Sequence, residues 1–373
     1  MKMKISRKWI TAAVICAAVM LVFLAFAGIC EMISRGMTAE IKELDAGARW
    51  TSDGSPYATI ALYTDTATAF DRSTVERYAY AITNALLTAS IDSPEGGSIW
   101  TYSYYGEQST SVTGPKGSSA AEMQFVGGSY FTFHPLRFLY GAPFSYDSTL
   151  PDGVVIDEDL AWRVFGAIDV IGMELTWNGR SFTVCGIVQK ERDTEAYKKA
   201  YGSTGRIYMS YYGYEMAGGD TQSITAFEAT IPNAVKSFAI NLFKGAVTVN
   251  EDTMVLYENS DRYSFANRFK RIKTLPYQGM RTERIIYPYY ENELCVLDFE
   301  TGIWMVVEVV MLGIAAVGLI GAIFCVSHSG FSPTILVKNG FRKAEDAFDR
   351  KREARWKKKN KGKNLPPDPL AGL

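Results

Sequence analysis

The sequence predicts an α+β fold in which a mixed helix-and-strand domain is flanked by two transmembrane helices. Three observations predict it. Two long apolar runs lie towards the ends of the 373-residue chain, charge is sorted along the chain, and two strand-to-helix units stand far apart in its middle. Because 47% of the residues are hydrophobic and 13% aromatic, the chain can bury a large core, which excludes disordered and collagen-like classes.

The two apolar runs are long enough to span a bilayer. Residues 9–30 contain no charge, and residues 303–326 contain only Glu308. At 1.5 Å per helical residue, each run crosses a hydrocarbon core about 30 Å thick. A cleavable signal peptide is the alternative for the first run, because Ala25-Phe26-Ala27 has the small-x-small form that signal peptidase prefers. The length of the run favours a retained anchor, since the apolar cores of signal peptides are shorter.

Charge sorting predicts the topology. Residues 1–8 carry four bases and no acid, and residues 338–363 carry twelve bases against four acids, whereas the rest of the chain carries 23 bases against 36 acids. Basic flanks resist translocation, so both ends are expected in the cytoplasm. The predicted order is a cytoplasmic N-terminus (1–8), a transmembrane helix (9–30), an extracytoplasmic domain (31–302), a second transmembrane helix (303–326) and a basic cytoplasmic tail (327–373).

Two separated strand-to-helix units predict the layered part of the domain. Residues 57–63 alternate as a strand, and a helix follows from a capping box at Ser73 and Glu76. Residues 224–231 predict a second strand, with Asn233 capping the next helix. The apolar faces of the two helices comprise Val75, Tyr78, Ala79, Ile82, Ala85 and Leu86, and Val235, Phe238, Ala239 and Leu242. Neither helix buries its face alone, so both are expected on one shared sheet.

The stretch between these units has the clearest local signals. Residues 154–156 predict a buried strand, Asp157 the cap of a short helix through Phe165, and Gly166 its end. Residues 173–177 and 180–188 then form a predicted hairpin around Asn178-Gly179, the pair best suited to a type I′ turn. One face of the returning strand is predicted to carry Phe182, Val184, Gly186 and Val188.

This stretch resembles the extracytoplasmic core domain of MacB/FtsX-type ABC transporter permeases. In that family a strand is followed by a helix that carries an acid or serine, then Leu-Ala, then Phe-Gly. An Ile-Gly turn and a Val-Gly-Val strand come next. The same order is found here in residues 154–166, 169–172 and 177–188. Residues 128–131 and 139–141 match the approach to this motif. The motif positions are Asp157, Phe165, Gly166, Gly172, Asn178, Gly179 and Gly186.

The resemblance implies a MacB-like domain with porter-like α/β lobes and a β-rich insertion at about 126–190. It also implies a bacterial cytoplasmic membrane location, with a separate ABC ATPase and a further permease subunit as partners. The chain departs from the family's four-helix pattern, because only one apolar run follows the domain. It also lacks the GxxxxGK[ST] sequence that cradles nucleotide phosphates. The function predicted is therefore a permease-like subunit without its own motor; the alternative is a stand-alone membrane-anchored binding or sensing protein.

Three intramembrane residues are candidates for coupling or helix pairing. Glu308 is a charge inside an apolar run, which marks a functional candidate, although it lies near enough to the outer end to reach the interface. Gly318 and Ala322 form a small-xxx-small pair that permits close helix approach, as do Ala13 and Ala17. These pairs fit either packing of the two spans on each other or packing on a separate subunit.

The basic tail has three interpretations. Phe341, Ala344 and Phe348 follow one helical face among bases, so the tail is able to lie on anionic lipid. It is equally able to contact an ATPase, or simply to fix the topology. Nucleic-acid binding is disfavoured, because Trp356 is the sole aromatic residue among the clustered bases of residues 350–363.

The sequence predicts neither an enzyme nor a metal or cofactor site. It contains no GxSxG or CxxC sequence and only two histidines, of which His134 is expected to be structural. Cys185 and Cys295 are predicted to be either two buried thiols or a single disulfide. Three tyrosine-rich segments are interpreted as half-buried strands or as a recognition surface, namely 102–105, 208–214 and 287–290.

Overall fold

The computed structural model describes residues 7–39, 41, 44, 46–51, 54–91, 97–144, 151–190, 204–277, 285, 287–329 and 347–352. The chain divides into two compact units. The larger unit, residues 29–307, contains the sheet; the smaller unit comprises residues 1–28 and 308–373.

The helices and strands agree with the mixed fold class predicted. The helices are α1 Arg7–Thr38, α2 Ala46–Trp50, α3 Arg72–Thr88, α4 Tyr130–Phe133, α5 Glu158–Phe165, α6 Tyr211–Met216, α7 Phe238–Ala246, α8 Phe265–Arg271 and α9 Tyr289–His328. The strands are β1 Tyr57–Thr64, β2 Thr101–Gly114, β3 Gly117–Gly128, β4 Phe138–Gly141, β5 Gly153–Asp157, β6 Glu174–Trp177, β7 Arg180–Val188, β8 Gly205–Ser210, β9 Ala226–Pro232 and β10 Met254–Glu258.

The strands form one ten-stranded sheet in the order β10-β1-β9-β2-β3-β8-β5-β7-β4, with β6 pairing with β2 and β7. Because β1 and β9 are antiparallel neighbours, the two distant strand-to-helix units share a sheet, as predicted. Strands β4 to β7 of the predicted insertion belong to this same sheet. The division into porter-like lobes stays a prediction.

Two apolar clusters cover opposite faces of the sheet, because alternate residues of a strand point to opposite sides. Along β1, Ile60 and Leu62 belong to the first cluster and Ala61 and Tyr63 to the second. The first cluster also contains the buried residues of α3, α5 and α7, namely Val75, Ile82, Leu86, Leu160, Ala161, Val164, Ala239 and Phe243. Helices α3 and α7, which follow the strands of the two predicted units, are therefore stabilised by burial of their apolar faces.

The family-motif residues shape the turns around α5 and the β6–β7 hairpin. The Asp157 carboxylate accepts the Leu160 backbone N–H at 2.7 Å and so caps α5. Gly166 ends that helix at φ 81°, in the left-handed region that suits glycine. Asn178 and Gly179 have φ values of 48° and 75°, as a type I′ turn requires.

The predicted face of β7 is wrong at its far end. The pairing of β7 with β5 shifts register between Val154 and Val155. Since a bulge adds one residue, the alternation reverses beyond it. Val184 therefore lies in the first cluster, whereas Val188 lies in the second. Ile187, and not Val188, joins Val184 in the first cluster.

Two predicted helix starts are also displaced. Helix α3 begins at Arg72, because the Asp71 carboxylate rather than Ser73 accepts the Thr74 N–H, at 2.9 Å. Helix α7 begins at Phe238 rather than directly after Asn233. The Asn233 amide oxygen still accepts the Ala239 N–H at 3.2 Å, but Val235 lies outside the helix and is exposed.

Replacing Gly186 with alanine is expected to destabilise the domain by about 1–3 kcal/mol, since overpacking of a filled site forces its neighbours to move. A Cβ atom there would lie 2.6 Å from the Phe138 ring and 2.7 Å from the Ala142 carbonyl oxygen. The matched control is Gly245→Ala in α7, where a Cβ atom meets no atom within 4 Å. That change is expected to stabilise by about 0.5–1 kcal/mol. Denaturant unfolding measures both, and equal effects would contradict the packing at Gly186.

In the smaller unit, the described parts of α1 and α9 pack on each other at small residues. A Cβ atom on Gly318 would lie 3.1 Å from the Cys16 carbonyl oxygen and 3.2 Å from the Met20 nitrogen, so glycine permits the close approach. The rings of Trp9 and Phe324 contact each other edge to face at 6.1 Å. In the predicted tail, Phe341 and Ala344 lie outside the described residues, and Phe348 is exposed.

Candidate functional site: a buried charge network on the two long helices

The predicted candidates do not form one site. Residues 157–186 of the family motif shape turns and caps in the larger unit, whereas Glu308, Gly318 and Ala322 belong to the smaller unit. Glu308 is only 5% exposed. Gly318 contacts α1 as described above, and Ala322 lines a small apolar cavity with Ala13 and Ala17. The role of these three residues in coupling stays a prediction.

A different set of residues forms the most strongly charged buried site of the described chain. The larger unit contains the last residues of α1 and the first residues of α9. Between them lies α8. We use the name charge network for the three arginines and three acids that connect these helices, namely Glu31, Arg262, Arg268, Arg271, Glu291 and Asp298.

Arg262 is the centre of the charge network. Its side chain is 3% exposed, and its two terminal nitrogens lie 2.8 Å from Glu291 Oε1 and 2.8 Å from Asp298 Oδ2. Nη1 also donates to the Asn259 amide oxygen at 3.1 Å, and the guanidinium lies over the Tyr257 ring at 4.8 Å. Burial by itself lowers the pKa of a guanidinium, but Glu291 and Asp298 offset this and hold the pKa of Arg262 well above its ordinary value.

Glu291 is the most buried acid of the charge network. It is fully buried, and burial raises its pKa from 4.5 to about 7, with the charge and hydrogen bond of Arg262 opposing the rise. The Tyr63 hydroxyl donates to Glu291 Oε2 at 3.3 Å, which connects α9 to the sheet through β1. Glu291 therefore links the start of α9 to both Arg262 and the domain core.

Helix α8 carries the other two arginines and contacts both long helices. Arg268 forms an ion pair with Glu31 of α1, and Arg271 forms one with Asp298 of α9. Arg35 also donates to Glu31, at 2.7 Å. Burial acts to raise the pKa of Glu31, but its hydrogen bond from Arg35 and the charge of Arg268 lower that pKa below its ordinary value.

Helical spacing explains why these side chains converge. Glu291 and Asp298 are two turns apart and so share one face of α9, while Arg268 and Arg271 are one turn apart on α8. This site is not predicted from the sequence, because no short motif marks it. Two acids seven residues apart at the start of a long apolar helix were the available signal.

The side chains of the charge network are paired acids and arginines. Among the residues that the structure describes, no group of three or more His, Cys, Asp and Glu side chains is placed to hold a metal ion. Each arginine of the network is engaged with a carboxylate. Such paired, directional contacts resist relative movement of the elements that they join, so the arrangement is suited to holding helix ends and transmitting displacement.

His134 lies in a second buried pair, inside the sheet core. Its Nε2 atom is 2.6 Å from Glu228 Oε2, and both side chains are buried. The rings of Tyr105, Tyr130 and Tyr290 surround the imidazole. The structural role predicted for His134 agrees with this packing, and the residue lies in a bend directly before Pro135.

The tyrosine-rich segments are mostly core. Tyr105, Tyr208, Tyr211, Tyr214, Tyr287 and Tyr290 are buried, and Tyr212 is exposed. All five cysteines are free, so Cys185 and Cys295 are two separate thiols. The recognition-surface and disulfide alternatives are therefore not supported by the described residues.

The profile of the MacB-like periplasmic core domain matches residues 9–251 of the chain. The chain belongs to the MacB-like periplasmic core domain family. This confirms the resemblance predicted from residues 154–188. MacB-like proteins are ABC-type transporter permeases that work with ABC ATPases, and they are generally not catalytic.

Two solved structures are similar to this MacB-like chain. The periplasmic region of MacB from Actinobacillus actinomycetemcomitans is 17% identical, with 54% of this chain and 88% of that chain covered and a TM-score of 0.36. The extracellular domain of the noncanonic ABC-type transporter YknZ from Gram-positive bacteria is 12% identical, with 53% and 99% covered and a TM-score of 0.37. A search of curated protein sequences finds no significant match.

Two helices of this MacB-like chain are long and apolar enough to cross a membrane, within the part that the structure describes. They are Arg7–Thr38 and Tyr290–His328. They contain the two predicted spans, 9–30 and 303–326, and each continues beyond its span into the larger unit. These continuations carry Glu31, Glu291 and Asp298 of the charge network.

Proposed function

We propose that this chain is a non-catalytic, permease-like membrane subunit of an ABC-type export or mechanotransmission complex whose ATPase is a separate polypeptide. Family membership supports the assignment to this class. One observation carries the mechanical part: the charge network joins both long helices to the domain through buried arginines. A displacement of either helix along its axis is then passed to α8 and the sheet.

The proposed topology places both ends in the cytoplasm and residues 31–302 outside. The basic residues flanking both spans support this orientation, because lysine and arginine resist translocation. In this arrangement the basic tail faces the cytoplasm, where the ATPase lies. The tail then binds that ATPase or the anionic inner leaflet.

The mechanical proposal also explains the paired arginines. A single exposed ion pair contributes little to the free energy of folding, about 0–1 kcal/mol, so its two charges separate easily. Buried pairs with several hydrogen bonds each resist separation, because a separated charge would be left desolvated. Arg262 and Arg271 both engage Asp298, so α9 is restrained from two directions.

Co-purification tests the proposed function. The tagged full-length chain, extracted from its native membrane in mild detergent, is expected to bring down a polypeptide with a Walker-type ATP-binding sequence and further permease helices. Mass spectrometry identifies these partners, and a tagged unrelated protein with two transmembrane helices provides the control.

A homogeneous monomer or homo-oligomer, recovered without an ATP-binding chain, would contradict this assignment. That outcome would favour the alternative, a membrane-anchored binding or sensing protein that uses the same domain.

A further inference from the structure

Helix α8 presents an unusual outer surface. Phe265 is 46% exposed and Phe269 is 51% exposed, one helical turn apart on the same side. Lys270 in α8 and Lys273, two residues beyond its end, are also exposed. Arg268 of the same helix is buried. An exposed pair of large aromatic rings flanked by lysines is the pattern of a helix that lies on a membrane surface.

The charge network determines the position of α8 along the axes of α1 and α9. Arg268 binds Glu31, which directly follows the predicted first span ending at Cys30. Arg271 binds Asp298, five residues before the predicted second span begins at Ile303, or about 7.5 Å along a helix. Both attachment points therefore lie at the predicted boundary between hydrocarbon and water, and both belong to the same compact unit as α8.

Charge around α8 matches an anionic surface. From Arg262 to Thr282 the sequence carries six bases and no acid. Arg262, Arg268 and Arg271 are engaged in the charge network, whereas Lys270 and Lys273 are exposed. Phosphate headgroups attract such lysines with about 1 kcal/mol each near the surface.

We propose that α8 is an interfacial helix that inserts Phe265 and Phe269 into the outer leaflet. Lys270 of α8 and Lys273, two residues beyond it, bind anionic lipid headgroups. The inference rests on the membrane placement given under the proposed function. In this position α8 connects the bilayer surface to both long helices. Movement of these helices relative to the membrane surface is therefore restrained by α8.

Photo-cross-linking of the full chain tests the proposal. The probe p-benzoylphenylalanine replaces Phe265 or Phe269, and the protein is reconstituted into nanodiscs of phosphatidylcholine mixed with phosphatidylglycerol. Lipid adducts, detected by mass spectrometry, are expected at both positions. Tyr80 on α3 is 71% exposed and provides the control, at which no lipid adduct is expected. Protein adducts or no adducts at 265 and 269 would overturn the proposal.

A further control separates this inference from the proposed function. Val317 is 70% exposed within the predicted second span, so the same probe there reports whether the span crosses the bilayer. Lipid adducts at 317 without adducts at 265 and 269 overturn the interfacial helix alone. Absence of adducts at all three positions overturns the membrane placement as well.

Charge reversal tests the headgroup contact. With the probe in place of Phe269, Lys270→Glu and Lys273→Glu together are expected to reduce the enrichment of phosphatidylglycerol over phosphatidylcholine adducts, by up to about fivefold per lysine. The matched control reverses Lys236 and Lys244, which are exposed elsewhere in the same unit, and is expected to leave the enrichment unchanged. An equal effect of both pairs would overturn the headgroup contact.

Discussion

Replacing Arg262 with methionine is expected to lower the free energy of unfolding by about 3–5 kcal/mol. Methionine preserves much of the side-chain volume but leaves Glu291 and Asp298 buried without their shared cation. Removing one partner of a buried ionic group is costly because the remaining charge stays desolvated. Thermal or denaturant unfolding of the full chain in detergent, followed by tryptophan fluorescence, measures the loss.

The matched control for this change is Arg35→Met. Arg35 pairs with Glu31, but its side chain is 79% exposed, so its loss is expected to cost less than about 1 kcal/mol. Combining Arg262→Met with Glu291→Gln is expected to recover most of the stability, since the fully buried acid is then neutral and Asp298 keeps its ion pair with Arg271. Equal costs for Arg262→Met and Arg35→Met would show that the charge network contributes no more than a surface pair.

Replacing Glu291 with glutamine is expected to remove a pH dependence of stability. The pKa of Glu291 rises from 4.5 to about 7 on burial, so the folded protein keeps its proton between these pH values while the unfolded chain releases it. Stability from this group is therefore fully present below about pH 4.5 and is lost as pH rises to about 7. The expected decrease is about 3 kcal/mol, at 1.36 kcal/mol per pH unit.

Unfolding measured across this pH range distinguishes the outcomes. The native chain is expected to lose stability with rising pH, whereas Glu291→Gln is expected to show a flatter profile. Glu76→Gln provides the control, because Glu76 is an exposed acid of α3 whose partner Arg72 is also exposed. Parallel profiles for the native chain and Glu291→Gln would contradict the assignment of the titration to Glu291.

Local signals predicted the parts of the fold that depend on nearby residues. The turn at Asn178-Gly179, the end of α5 at Gly166 and its cap at Asp157 are set by conformational preferences and short-range hydrogen bonds. The displaced start of α3 has the same origin, because two acceptable caps lie close together and Asp71 makes the better-placed bond. The change in which side chains of β7 face the first cluster was not predictable, since it depends on how β5 pairs with β7.

The candidate site shows the same division. Glu308, Gly318 and Ala322 stand out in the sequence because a charge or small residues interrupt apolar runs. Arg262 and Arg268 do not stand out, since arginines are ordinary surface residues in most sequences. Their burial follows only from tertiary packing, which places Arg262 against Glu291 and Asp298, and Arg268 against Glu31.

The two apolar helices, the sorting of charge and the MacB-like motif are evident without a structure, because hydropathy and turn chemistry act over stretches of neighbouring residues. Which charges are buried together depends instead on how distant segments pack. Glu31 and Arg268 are 237 positions apart, and Tyr63 and Glu291 are 228 positions apart. These pairs form because the sheet, α8, the last residues of α1 and the first residues of α9 belong to one compact unit. Burial of that kind is a property of packing, and no local pattern encodes it.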